Sequence, residues 1–275
     1  MYKIVADSSC DMNDFPGIPF ETVPLTLSTD EKSFVDSPGL NVKEVLDYLY
    51  AHHGRSYTAC PSTQSWLDSF EGADEIYVVT ITSGLSGTYA SAGVARDQYL
   101  SEHPEVKICI VDSLSTGPGC VLLIEKIAEL KAAGKSFEEI SKEIVQYQKS
   151  LKLYFGLQSL HNLAAGGRVP KLVASAIGIM NIRILGTASP EGTIAPIAKC
   201  RGDKRVLEKI VEEIKACGYH GGKIRICHVE NLALANEIVS KIKEFFGDID
   251  VSIIPARGLC SYYAERGGII LGCER

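Results

Sequence analysis

Six consecutive residues, Ile76-Tyr77-Val78-Val79-Thr80-Ile81, carry no charge and show no polar alternation. As a strand, such a run is buried on both faces, and strands covered on both faces belong to parallel sheets with helices on either side. The residues that follow, Thr82-Ser83-Gly84-Leu85-Ser86-Gly87-Thr88, are small and rich in hydroxyls, and Tyr89-Ala90-Ser91-Ala92 continue in a helix-compatible pattern. The expected order is therefore strand, glycine turn, helix start. Gly84 and Gly87 permit a tight turn and the close approach of another backbone. Ser86 or Thr88 can cap the helix, whose first free N–H groups point outward with partial positive charge. The stretch is then either a plain helix cap or a seat for an anion.

The first 150 residues repeat this alternation. Residues 3–7 predict a strand ending in the polar loop Asp7-Ser8-Ser9-Cys10-Asp11, and ligands collect at such carboxyl ends in open α/β sheets. Residues 22–27 are strand-like, with Pro24 placing them at an edge, and a turn over 29–32 leads into a short hairpin with residues 33–36. Asn41 caps a helix carrying Val42, Val45, Leu46, Leu49 and Tyr50 on one face, which Gly54 closes. A second hydroxyl-rich turn, Thr58-Ala59-Cys60-Pro61-Ser62-Thr63, precedes a helix through Trp66, Leu67 and Phe70. Residues 106–111 form a further strand, Ser115-Thr116-Gly117-Pro118-Gly119 opens a helix running to Leu130, and Ser136 with Glu139 has capping-box spacing.

From residue 151 the pattern changes. Residues 153–157 are strand-like, a short helix with Leu160 and Leu163 stops at Gly166-Gly167, and residues 181–187 and 193–199 predict an antiparallel hairpin. Asp203 caps an amphipathic helix, residues 223–229 are a strand, Asn231 caps another helix, and residues 251–254 are a strand. The expected architecture is α/β in two lobes: a mainly parallel α/β lobe over residues 1–150 carrying hydroxyl-rich ligand loops, and a smaller mixed α+β lobe over residues 151–275.

Composition excludes several functions. Against 28 Lys and Arg stand 34 Asp and Glu, a net charge of -6, which does not suit nucleic-acid binding. No apolar run approaches the roughly 18 residues that span a bilayer; a cytoplasmic protein without a transmembrane segment is expected, which leaves room for transient membrane contact. The nine cysteines include no C-x-x-C pair and read as reduced, mostly core thiols, while the six histidines show no metal spacing. Neither a metal nor a cofactor is expected. Gly84-Leu85-Ser86-Gly87-Thr88 is not the hydrolase elbow, since threonine stands where the second glycine belongs, and no Walker or dinucleotide glycine motif is present. The sequence offers anion donors and no catalytic residue.

Six ordered motifs carry a resemblance: Asp7-Ser8-Ser9-Cys10-Asp11, Val23-Pro24-Leu25, Thr58-Ala59-Cys60-Pro61-Ser62, residues 85–92, Gly166-Gly167-Arg168 and Lys199-Cys200-Arg201-Gly202. Over residues 3 to about 255 the chain resembles the DegV family. That resemblance implies a two-lobed, non-catalytic protein that buries the chain of a long-chain fatty acid near the lobe junction and presents its carboxylate to a separate fatty-acid kinase subunit. It implies that Thr58, Ser86 and the N–H of Gly87 hold the carboxylate, that Arg201 lies near that headgroup, and that Arg168 is a surface arginine docking the kinase subunit. Arg168 as a helix C-terminal charge and Arg201 as a surface charge beside Asp203 are the plainer readings. The rival function is an acyl- or phosphoryl-transferring enzyme using Ser86. Two departures stand out. The family's histidine and Gly-Pro-Gly near the C-terminus are replaced by Ser261-Tyr262-Tyr263-Ala264-Glu265-Arg266-Gly267-Gly268, so Tyr262 or Tyr263 is expected to supply the missing contact. Ile184 also stands where the family usually has proline.

Overall fold

The computed structural model describes residues 1–169 and 181–275. Strands β1 (Tyr2–Asp7), β2 (Phe20–Val23), β6 (Glu75–Thr80) and β7 (Lys107–Asp112) form a wholly parallel sheet in the order β2-β1-β6-β7. Strand alternation decides what covers each face. Val5, Ile76 and Val78 face helices α2 (Thr63–Phe70) and α3 (Thr88–Glu102) through Trp66, Phe70, Ala92 and Ala95. Ile4, Ala6, Tyr77 and Val79 face α4 (Pro118–Ala132) and α5 (Phe137–Ser150) through Leu123, Ile124, Ile127, Ile140 and Ile144. The uncharged run is thus a central strand with a helical layer on each side. Ser136 and Glu139 close the capping box of α5.

A small antiparallel sheet, β4 (Ser33–Val35), β3 (Thr26–Thr29) and β5 (Ser56–Ala59), stands beside it. Pro24 splits the expected strand over residues 22–27: β2 ends at Val23 and β3 begins at Thr26, because proline has no N–H for a ladder. Helix α1 (Val42–Ala51) is capped by Asn41 as expected, but it ends at His52 rather than at Gly54.

The second large sheet contains β8 (Leu151–Leu157), β9 (Ile182–Ala188), β10 (Ile194–Arg201), β11 (Ile224–His228), β12 (Val251–Pro255) and β13 (Ile269–Glu274), in the order β10-β9-β8-β13-β11-β12. It is mixed: β11 and β12 pair in parallel, the other neighbours antiparallel. One face, with Tyr154, Leu185, Ile224, Ile226 and Leu271, is covered by α7 (Gly202–Ala216) and α8 (Leu232–Phe246). The other face, with Leu153, Phe155, Leu157, Ile184 and Ile270, meets α6 (His161–Ala165) and α9 (Gly258–Ala264). Asp203 does not cap α7: it lies in the first turn and pairs with Arg183 at 2.9 Å, while Arg201 takes the N-cap position. The central strand β13 and the helix α9 before it are elements that the sequence pattern was not read to contain.

Glu125 on α4 ties the two large sheets together. It takes two hydrogen bonds from Arg225 on β11, at 2.7 and 2.8 Å, and the pair is nearly shielded from solvent. Such a two-pronged guanidinium–carboxylate contact fixes orientation as well as distance.

Candidate functional site

The turn after β6 is clamped against the β9–β10 hairpin. Thr82 Oγ1 donates to Gly192 O at 3.0 Å, and Gly192 has a φ of +73° with Thr82 Oγ1 and the Leu114 backbone where its Cβ would stand. A Cβ on Gly84 would lie 2.5 Å from Glu191 O. Gly84 therefore serves the close backbone approach expected of it. Gly87 does not: the nearest atom to its would-be Cβ is Cys60 Sγ at 3.7 Å.

Helix α3 starts differently from either expected cap. Gly87 is the N-cap and supplies no side-chain hydrogen bond, so Ser86 and Thr88 are left to pair with each other at 2.8 Å. Ser86 Oγ also accepts from Thr88 N at 3.4 Å, so one of the first N–H groups of α3 is taken within the turn. Ser86 has the Thr88 hydroxyl, and no histidine or carboxylate, as its side-chain partner among the described residues.

Between this turn, β8, α6 and α9 lies an apolar cavity whose empty space, mouth included, is about 800 Å³. Leu25, Ile81, Leu85, Leu153, Phe155, Leu157, Leu163, Leu259 and Ile270 supply most of the wall. Thr58, Ser86, Arg168 and Tyr263 also line it, as do Thr82, Ser115, Thr116 and Thr193, and Thr58, Tyr263 and Arg168 are linked to one another. Tyr263 OH and Thr58 Oγ1 are 2.7 Å apart. The Arg168 guanidinium lies 5.6 Å from the centre of the Tyr263 ring, and its Nε donates to Leu85 O, next to Ser86, at 3.2 Å. Three hydroxyls and one cation thus converge on one part of a greasy cavity, an arrangement fitted to an amphiphile with a small anionic head.

The residues expected at a site are distributed as follows. Thr58, Ser86, Arg168 and Tyr263 come together, with Gly87 adjoining Ser86. Arg168 is half-buried, folded over Tyr263, and also donates to Gly166 O at 2.6 Å, as a charge at a helix C-terminus does. Tyr262 is buried, bonds to Ser56 at 2.8 Å, and lines a separate polar space with His52, Asn162 and Glu265. Arg201 is exposed at the last position of β10 and is absent from the cavity wall, because that position doubles as the N-cap of α7.

The Asp-Ser loop after β1 is structural. Asp7 accepts from Ser9 N at 2.9 Å and Ile81 N at 2.6 Å, which locks the ends of β1 and β6, and Asp11 accepts from Arg257 N at 2.7 Å. Burial pushes Asp7 up to about 6 and Asp11 up to about 7. Neither lines the cavity. All nine cysteines are free thiols, six of them buried. No cluster of His, Cys, Asp or Glu able to hold a metal ion occurs among the described residues, nor any helix long and apolar enough to cross a membrane.

Sequence reasoning missed the walls that β13 and α9 provide, Ile270 and Leu259 above all. A signal was present in Ile269-Ile270-Leu271, a short apolar run following Gly267-Gly268.

These features define an α/β protein with a parallel sheet in its N-terminal part, a mixed sheet in its C-terminal part, and an apolar cavity with a hydroxyl-lined polar region between them. The chain belongs to the DegV family: the sequence model of that family, described as an uncharacterised protein, matches residues 1–271. A DegV domain-containing protein of Streptococcus gordonii is 43% identical, over 99% of each chain. Among solved structures, a DegV family protein from Eubacterium eligens loaded with heptadecanoic acid is 51% identical with a TM-score of 0.98, covering 100% of this chain and 99% of its own. The Streptococcus pneumoniae fatty acid kinase (Fak) B3 protein loaded with linoleic acid is 40% identical with a TM-score of 0.97, covering 99% of each chain.

Proposed function

We propose that this protein binds a long-chain fatty acid in the apolar cavity and presents its carboxylate, in the cytoplasm, to a fatty-acid kinase subunit that performs the chemistry. The observation that carries the reading is the linked set of Thr58, Tyr263 and Arg168, with Ser86 on the same wall, in a mostly apolar cavity. An unpaired carboxylate loses several kcal/mol on burial, so it needs several donors. Thr58, Ser86 and the Gly87 N–H supply three. Tyr263 provides the contact that the family's histidine makes elsewhere, and Arg168 offsets the charge. At about 0.8 kcal/mol per methylene, a buried chain of roughly 14 methylenes contributes on the order of 11 kcal/mol before ordering costs. The tail supplies affinity and the polar set supplies orientation.

The fatty acids carried by the similar Eubacterium eligens and Streptococcus pneumoniae proteins support the ligand class, and the kinase name of the latter supports the partner. In this reading the lobes meet near residue 150, and Arg201, exposed and apart from the headgroup, belongs to the surface. Mass spectrometry of the native purified protein and of its denatured organic extract tests the proposal. A co-purifying acyl chain, or uptake of added fatty acid at one-to-one stoichiometry, is the expected result; neither being observed overturns it.

A further inference from the structure

The cavity-facing side of β9 carries Ile184 and Ala188, with Gly186 between them. Gly186 stands directly opposite Phe155 of β8 in the ladder. Its φ is not in the left-handed region, so the backbone does not demand glycine there. The Phe155 ring does. A Cβ on Gly186 would lie 2.3 Å from Phe155 Cζ and 2.4 Å from Cε2, so the ring lies across β9 in the space a side chain would fill. On its other flank Phe155 is paired with Ile270 of β13, and both residues line the cavity.

We propose that Gly186 sets the acyl-chain capacity of this cavity by giving the Phe155 ring a resting place over β9, in the cavity wall rather than across the channel. With any side chain at position 186 the ring must leave. Ile270 closes the opposite flank, and the sheet lies beneath, so the ring swings up into the cavity and shortens or narrows it. This inference rests on the fatty-acid reading above. It makes a backbone position with no polar atom on the ligand a determinant of which acids fit.

The test compares binding of saturated twelve-carbon and eighteen-carbon fatty acids, by displacement of a fluorescent fatty acid, to the wild type, Gly186→Ala, Phe155→Leu and the double variant. Thermal melts confirm that each is folded. Gly186→Ala is expected to lose about tenfold in affinity for the eighteen-carbon acid relative to the twelve-carbon acid. Phe155→Leu, with no ring to displace, keeps or raises that ratio, and the double variant regains it. The would-be Cβ also lies 2.9 Å from Ala195 O, a clash that removing the ring does not relieve. A loss that persists in the double variant therefore belongs to that backbone contact and overturns the role of Phe155. A folded Gly186→Ala with the wild-type ratio overturns the role of Gly186. A wild type that binds neither acid overturns the fatty-acid reading itself.

Discussion

Tyr263→Phe is the sharpest test of the polar set. The substitution removes one oxygen and leaves the ring, so the wall of the cavity and the stacking of Arg168 over the ring at 5.6 Å are retained. The loss is the phenolic O–H, 2.7 Å from Thr58 Oγ1 and available to a carboxylate beside it. A hydrogen bond to a charged acceptor contributes about 1.5–3 kcal/mol, and 1.4 kcal/mol is a factor of ten, so affinity for a fatty acid should fall roughly 10- to 150-fold. In the unliganded protein the same change deletes a neutral hydroxyl pair, worth about 0.5–1.5 kcal/mol, so the variant should stay folded. Tyr262→Phe is the internal control: it removes the bond to Ser56, keeps the ring that packs on Tyr263, and takes away a hydroxyl that is not on the cavity wall, so its affinity should stay within about twofold of the wild type. Displacement of a fluorescent fatty acid gives both values. Wild-type affinity in Tyr263→Phe, or an equal loss in Tyr262→Phe, would refute the assignment.

Two further outcomes follow from the packing. Glu125→Ala strands the shielded Arg225 guanidinium between α4 and β11, with Asp250 as its remaining carboxylate partner, and should cost about 3 kcal/mol of unfolding free energy in urea; a loss below about 1 kcal/mol would show that the pair does not join the sheets. Asp7 and Asp11 are raised by burial from 3.8 to about 6 and about 7, so between those values the folded protein holds protons that the unfolded chain has released. Their stabilising contribution is full below about pH 4 and is lost as the pH rises through about 6 to 7. Urea midpoints should therefore show these two groups working against stability on going from about pH 5 to about pH 8. Asp11→Asn should flatten that dependence; an unchanged slope would mean that Asp11 does not titrate there.

The uncharged run over residues 76–81 predicts a strand buried on both faces, and β6 is an inner strand of a parallel sheet with α2 and α3 on one side and α4 and α5 on the other. The caps Asn41, Ser136 and Asn231 were equally legible, because a cap is a bond between residues three apart. Local errors came where a local signal competed with a distant partner. Asp203 has the chemistry of a cap, yet Arg183, twenty residues away on β9, takes its carboxylate. The Asp7 loop has the look of a ligand loop, yet the N–H of Ile81 takes its oxygen.

The site divides along the same line. Ser86 and Gly87 lie in a hydroxyl-rich turn ahead of a helix, which left a plain cap and an anion seat both open, and Thr58 lies in β5 just before a second such turn; the family resemblance, not composition or spacing, marked all three as carboxylate donors. Which tyrosine joins them was beyond the sequence: Tyr262 and Tyr263 are adjacent, and only the placement of α9 against β5 and α6 turns Tyr263 to Thr58 and Tyr262 to Ser56. Likewise Gly186 is unremarkable as a letter, and its meaning appears only when Phe155 lies across it. Residues 76–81 and the helix caps were legible in the chain, and with them the layering of the N-terminal part, because periodicity, capping and turn chemistry act over a few residues; β13 and α9 were not. The tertiary structure alone decided which arginine faces the cavity, which tyrosine completes it and where the channel has room, because those contacts join residues some 30 to 200 positions apart, a range over which no local pattern carries information.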